Sequence, residues 1–129
     1  MKQIVTGLTE SAKMIYLDNL AKGFWDSERN VGEMLMLVVS ELGEAIEAHR
    51  KDRNAKLDDY KFIATAGFDE SDENIAFREN IKDTFEDEIA DAIIRLLDMS
   101  GGLGIDINFH INAKLNYNRS RPRLHGKTY

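Results

Sequence analysis

The sequence predicts an all-α fold, a bundle of about four main helices, on two observations. Apolar residues recur at three- and four-residue spacing in four segments, which is typical of helices with one buried side. No segment shows the convincing apolar alternation that would indicate a strand. At 129 residues the chain is long enough for one hydrophobic core, so we expect a single domain over residues 1–129.

The first two helices have recognisable boundaries. The first is predicted at about residues 9–22, with Thr9 as the N-cap residue and Gly23 as the stop signal. The second is predicted at about residues 31–51. It begins after Asn30, and Glu33 follows three residues later, which is the spacing of a capping box.

The remaining helices follow a less regular stretch. The third is predicted from Glu73 or Glu79 to Ser100, where Gly101 and Gly102 would end it. The fourth is predicted at about residues 106–118, since Pro122 prevents further helix. Between the second and third lies an irregular insertion at about residues 52–72. It contains Tyr60, Phe62, Ile63 and Phe68, so it packs on the bundle, covers a site, or forms a small satellite core.

Composition excludes several classes of protein. No cysteine is present, which excludes disulfides and thiolate metal sites. No apolar run approaches the roughly 20 residues that a membrane-spanning helix needs. The first residues also lack the apolar region of a signal peptide. We therefore expect a cytoplasmic protein with no membrane association.

Charge is distributed unevenly along the chain, whose net charge is −6. All 23 acidic residues lie within residues 1–112, and we expect this acidic part to repel a nucleic-acid duplex. The segment 113–129 has no acid and includes a basic tail at residues 119–129. Such a segment could hold the phosphates of a small nucleotide or remain a solvated tail. Its basic residues are Lys114, Arg119, Arg121, Arg123 and Lys127.

Two short stretches repeat one pattern: an acid, an aliphatic residue, a small residue, a second acid, then Ala-Ile. The acids are Glu41 and Glu44 in the first stretch and Glu88 and Asp91 in the second. On a helix the two acids of each pair lie within about 60° of each other. Both pairs also lie on the same flank of the predicted apolar stripe, whereas ordinary solvated acids point away from a core. Carboxylates brought together near a core repel each other unless a cation neutralises them or some remain protonated.

The simplest such cation is Mg²⁺, with Mn²⁺ as a substitute, because all four candidate ligands offer hard oxygen atoms. A di-iron site in a helical bundle uses Glu-x-x-His pairs, and no histidine of this chain lies three residues after an acid. Solvated helix-surface acids are the alternative that involves no metal.

Further segments resemble the MazG-like all-α nucleoside triphosphate pyrophosphohydrolases over residues 20–51 and 79–125. The two acidic stretches look like that family's Glu-x-x-Glu and Glu-x-x-Asp segments, and Lys114 with Asn118 and Arg119 resembles its C-terminal phosphate-binding segment. The other similar segments are Trp25-Asp26, Gly32-Glu33, Ile93-Ile94-Arg95-Leu96-Leu97-Asp98 and Gly101-Gly102-Leu103-Gly104-Ile105-Asp106. There are two departures. Ser40 stands where many members have another Glu, and the link from Ala45 to Asp87 is longer than usual.

The resemblance implies hydrolysis of a nucleoside or deoxynucleoside triphosphate to the monophosphate and pyrophosphate. Glu41, Glu44, Glu88 and Asp91 would then hold Mg²⁺, and Lys114 and Arg119 would offset charge on the phosphates. A carboxylate among Glu41, Glu44 and Glu47 would orient the attacking water. Trp25 would stack on the base or, alternatively, pack at the end of the bundle.

Two other functions stay open at this point: a non-catalytic nucleotide- or metal-binding bundle and a helical oligomerisation module. The helices are predicted to expose more apolar surface than one small bundle can hide, and members of the family associate. We therefore expect a homodimer or homotetramer.

Overall fold

The computed structural model describes residues 1–67 and 69–128, and these residues contain six α-helices and no β-strand. The all-α prediction is therefore confirmed. No helix in this part of the chain combines the length and apolar character that crossing a membrane requires. A short 3₁₀ helix, Arg123–Gly126, follows the last α-helix. The α-helices are α1 (Leu8–Ala21), α2 (Val31–Arg50), α3 (Leu57–Thr65), α4 (Glu70–Asn80), α5 (Phe85–Gly102) and α6 (Ile107–Arg119).

The helices belong to two compact units. Residues 29–95 form one unit, with α2, α3, α4 and the first part of α5. Residues 1–28 and 96–129 form the other, with α1, the end of α5 and α6. We call these the central unit and the terminal unit.

The beginning of α1 differs from the prediction. Gly7, in the left-handed region with φ of 79°, is the N-cap residue, so the prediction that Thr9 caps this helix is wrong. The Thr9 hydroxyl instead donates to Asp106 Oδ1 at 2.7 Å and accepts from Asn108 N at 3.0 Å. Asp106 caps α6 by accepting from Phe109 N. Thr9 therefore ties α1 to the start of α6.

Three asparagines on α6 hold the N-terminal segment of the terminal unit. We call them the asparagine ladder: Asn108, Asn112 and Asn116, each four residues from the next. Asn112 is fully buried, and its Oδ1 accepts from the backbone N of Ile4 at 2.7 Å and of Val5 at 2.9 Å. Asn116 binds both the N–H and the carbonyl of Lys2, and Asn108 accepts from Leu8 N. Side-chain amides thus satisfy backbone groups that would otherwise need a strand partner.

The glycine pair forms the last two residues of α5, so this helix ends at Gly102, two residues beyond the predicted end at Ser100. A Cβ on Gly101 would overlap the carbonyl oxygen of Ala12, and one on Gly102 would overlap the ring of Trp25. The positive φ, 67°, occurs later, at Gly104. Gly101 and Gly102 therefore permit close packing within the terminal unit.

The predicted start of α2 is confirmed in the central unit, since Asn30 Oδ1 accepts from Glu33 N at 3.1 Å. The apolar stripe is only partly buried. The helical pattern places five apolar residues of α2 on this stripe; Met34, Val38 and Ala45 are buried, whereas Leu35 and Leu42 are exposed. On α5, Ala92 is buried but Ile89 is exposed.

The insertion is more ordered than predicted. It contains α3, and the helix predicted to start at Glu73 or Glu79 is divided into α4 and α5 by a turn in which Asp83 has φ of 60°. The helices α3 and α4 form a hairpin, in which the rings of Tyr60 and Phe77 meet edge to face. Phe68 lies outside the described residues. Three hydrogen bonds of 2.9 Å close the base of the hairpin: Lys56 N to Asn80 O, Phe85 N to Arg53 O, and Ala55 N to Glu86 Oε2.

Candidate metal centre

Helices α2 and α5 bring three of the four predicted acids together in the central unit. Carboxylate oxygens of Glu41, Glu88 and Asp91 all lie within 4.8 Å of one another. Glu41 is only 7% exposed and Glu88 only 4%, while Asp91 is half-buried. We call these three residues the acidic trio. Three carboxylates with so little access to water need a positive charge or a proton.

Glu44, the fourth predicted acid, is exposed and lies outside the trio. It is nevertheless near enough to Glu88 that its carboxylate helps to raise the pKa of Glu88. The chain therefore places one accessible carboxylate beside the buried ones.

Burial and neighbouring acids change how two members of the trio ionise. Burial, followed by the nearby carboxylates of Glu44 and Glu41, raises the pKa of Glu88 to about 7. Burial, followed by Asp87, also raises the pKa of Asp91, although Arg95 opposes this effect. In the metal-free protein near neutral pH, the trio thus holds a proton for part of the time.

Arg95 is a charged partner of the trio to which the sequence assigned no role. Its Nε donates to Glu41 Oε1 at 2.5 Å. The only signal in the sequence was its position four residues after Asp91, on the same side of one helix.

A second group of acids, also missed by the sequence analysis, shares Glu88 with the trio. Carboxylate oxygens of Asp83, Asp87 and Glu88 lie within 4.8 Å of one another. Asp83 N donates to Asp87 Oδ2 at 2.9 Å, and Asp87 N donates to Thr84 Oγ1 at 3.4 Å. The available signal was Thr84, placed three residues before Asp87 as a helix-capping residue would be.

The predicted phosphate-binding residues belong to α6 in the terminal unit. Lys114 is exposed, and its Nζ lies 5.4 Å from the centre of the Tyr117 ring. Asn118 Oδ1 is buried and has no hydrogen-bond partner among the described residues. Arg119, the last residue of α6, is exposed. A role of these residues in binding phosphate stays a prediction.

Trp25, predicted to stack on a base, is half-buried and makes several contacts within the terminal unit. Its Nε1 donates to Asp98 Oδ1 at 3.0 Å. Its ring meets Tyr16 edge to face, with 5.1 Å between centroids, and covers Gly102. These contacts agree with the packing alternative, and base stacking stays a prediction.

The acidic trio has the donor chemistry of a site for a hard divalent cation. All its ligand atoms are carboxylate oxygens, and neither acidic group among the described residues includes a histidine. Such a set fits Mg²⁺ or Mn²⁺ better than the di-iron alternative. No family model matches this chain, and no curated protein or solved structure matches it either.

Proposed function

We propose that this protein is a Mg²⁺-dependent pyrophosphohydrolase of the MazG-like type, which converts a nucleoside or deoxynucleoside triphosphate to the monophosphate and pyrophosphate. The observation that carries the proposal is the acidic trio. Glu41, Glu88 and Asp91 come from two distant stretches of sequence and meet at a largely buried position. A cation held by carboxylates would bind and activate a phosphate group, and the resemblance indicates a nucleoside triphosphate as its source.

In this proposal the trio holds Mg²⁺, or Mn²⁺ as a substitute. The cation would neutralise phosphate charge, polarise a phosphoryl oxygen and acidify a bound water. Glu44 is our candidate for orienting the attacking water, since it is exposed and close to Glu88. Two other acids are already engaged: Glu41 by Arg95, and Glu47 by Lys51 at 2.8 Å.

The remaining roles come from the resemblance. Lys114, Asn118 and Arg119 are proposed to bind the phosphates, with Lys114 offsetting the charge that develops during reaction. Trp25 and the aromatic residues of the insertion are proposed to select the base, because nothing in the acidic trio can recognise one. Stacking on a base contributes about 1–3 kcal/mol in other nucleic-acid sites.

The direct test incubates the purified protein with a panel of ribo- and deoxyribonucleoside triphosphates and Mg²⁺, and measures pyrophosphate and monophosphate. We expect equal amounts of the two products from at least one nucleotide and none when EDTA replaces Mg²⁺. Release of orthophosphate in place of pyrophosphate would contradict the proposed reaction. Mg²⁺-dependent nucleotide binding without any product would instead support the non-catalytic alternative.

We also propose that the protein forms a homodimer or homotetramer. Four apolar residues of α2 follow heptad-like spacing of four, three and four residues, and each is 44–54% exposed: Leu35, Val39, Leu42 and Ile46. Ile89 and Ile93 on α5 are also exposed and lie four residues apart. Stripes with this spacing are typical of helices that pack against other helices.

A charge within the α2 stripe is expected to prevent association. Val39→Glu should reduce the mass measured by sedimentation velocity to that of a monomer, because an unpaired carboxylate would be buried in the interface. Met14→Glu on α1 is the matched control, since Met14 is also exposed but lies outside the stripe. An unchanged mass for Val39→Glu would show that this stripe is not the interface.

A further inference from the structure

The ion pair between Glu41 and Arg95 is more buried than the Lys51–Glu47 and Lys82–Asp83 pairs. The Glu41 side chain is 9% exposed and that of Arg95 39%. In the Lys51–Glu47 and Lys82–Asp83 pairs, every side chain is at least 47% exposed. Exposed pairs contribute little to stability, whereas a buried carboxylate that loses its partner is costly.

Arg95 also brings its positive charge next to one carboxylate of the proposed cation site. Its Nε donates to one oxygen of Glu41, and an oxygen of Glu41 lies within 4.8 Å of oxygens of Glu88 and Asp91. One guanidinium therefore faces a group of three carboxylates. It reduces their mutual repulsion, and it would repel a divalent cation that enters the same group.

We infer that Arg95 is a built-in counter-ion of the acidic trio, which neutralises Glu41 while no metal is bound and competes with a divalent cation for that carboxylate. The inference rests on the metal site of the proposed function, but it does not require nucleotide hydrolysis. The ion pair thus raises the Mg²⁺ concentration at which the site becomes occupied.

Two effects of removing the guanidinium can be separated. Loss of a structural partner would destabilise the metal-free protein and leave Mg²⁺ affinity unchanged or lower. Loss of a competing cation would destabilise the metal-free protein and also increase Mg²⁺ affinity. Affinity for Mg²⁺ is therefore the measurement that distinguishes a counter-ion from a group that only packs or only orients Glu41.

The experiment compares wild type with Arg95→Met, which keeps much of the side-chain length without the charge, and with Arg95→Lys, which keeps the charge. Thermal unfolding is followed in EDTA and at increasing Mg²⁺, and Mg²⁺ binding is measured by calorimetry at pH 8. We expect Arg95→Met to lower Tm in EDTA and to decrease the Kd for Mg²⁺ at least about tenfold. Mg²⁺ should therefore raise the Tm of Arg95→Met by more than it raises the Tm of wild type. Arg95→Lys should remain near wild type in Kd.

Lys51→Met is the matched control, because it breaks the exposed pair with Glu47. Its Tm in EDTA and its Kd should equal those of wild type. An unchanged or increased Kd in Arg95→Met would overturn the inference, since a competing charge cannot be removed without strengthening cation binding.

A measurement on the wild-type chain covers the case in which Arg95→Met does not fold. Solvent exchange of the Arg95 Nε proton, observed by NMR, should be slow in EDTA and faster with saturating Mg²⁺ as the hydrogen bond to Glu41 is lost. Unchanged exchange in the Mg²⁺-bound protein would contradict the competition. Absence of Mg²⁺ binding to wild type would reject the proposed metal site itself, whereas binding without nucleotide turnover would reject only the hydrolysis.

Discussion

Replacing Glu88 with glutamine is expected to reduce Mg²⁺-dependent pyrophosphate release by at least about 100-fold, above the 10- to 100-fold losses typical of residues that only support metal ligands. Glu88 is the acid that the two groups share, and it is 4% exposed. Glutamine preserves its size but removes the charge that would hold the cation. The measurement is pyrophosphate release across a Mg²⁺ titration, with Glu47→Gln as the control because Glu47 lies outside both groups.

The same substitution, which is expected to reduce activity, is expected to stabilise the metal-free protein. The pKa of Glu88 is raised from 4.5 to about 7, so the folded state retains a proton that the unfolded chain releases. Stability should therefore decrease as the pH rises from about 4.5 to about 7, and the loss is complete above that range. Glutamine resembles the protonated acid. Glu88→Gln should thus unfold at a higher temperature than wild type in EDTA at pH 8.

These two results together test the site more strictly than either one alone. A variant that loses activity because it is misfolded would not gain stability in EDTA. Near-normal activity of Glu88→Gln at limiting Mg²⁺ would show that Glu88 is not a metal ligand.

Gly101→Ala is expected to destabilise the protein by about 3 kcal/mol, at the upper end of the usual cost of overfilling a packed region. The added Cβ would overlap the Ala12 carbonyl oxygen and come within 2.8 Å of Tyr16 Cβ. Because one of these obstacles is backbone, a side-chain rotation cannot relieve the overlap. The helix-favouring effect of alanine, about 1 kcal/mol, is too small to compensate. Chemical denaturation monitored by circular dichroism measures the loss.

Gly43→Ala is the matched control for this substitution. Gly43 also lies inside a helix, but a Cβ there meets nothing within 4 Å. Alanine at this position should therefore stabilise the protein by about 0.5–1 kcal/mol. If Gly101→Ala were equally stabilising, the close approach of α5 to Ala12 would be wrong.

Local sequence signals predicted some of the helix boundaries, although not the N-cap of α1 or the division between α4 and α5. The Asn30 cap depends on residues three apart, and α6 has nearly its predicted bounds, with Asp106 as the cap. The glycine pair marks the end of α5 to within two residues, but its packing role was not predicted because the same residue type ends helices and permits close packing. Only the position of Ala12, far away in sequence, distinguishes the two uses.

The acidic pairs show a similar limit at the site. Helical spacing predicted that four acids share one flank, and the structure brings together the carboxylates of three of them, all but Glu44. Helical spacing could not predict Arg95 as the partner of Glu41, because that contact depends on how two helices lie against each other. Asp83 was missed because its place beside Asp87 depends on a left-handed backbone conformation.

The asparagine ladder makes the first residues of the chain an integral part of the structure. Asn112 is fully buried, and its amide also donates to Val5 O at 2.7 Å. If a protease removed residues 1–5, Oδ1 and Nδ2 of Asn112 would both lose hydrogen-bond partners. Replacing these hydrogen-bond partners would require water or another extended peptide. The sequence of that peptide would matter little, because the ladder binds mainly backbone atoms. An intact segment of residues 2–5 thus determines whether α6 presents satisfied amides or an open row of them.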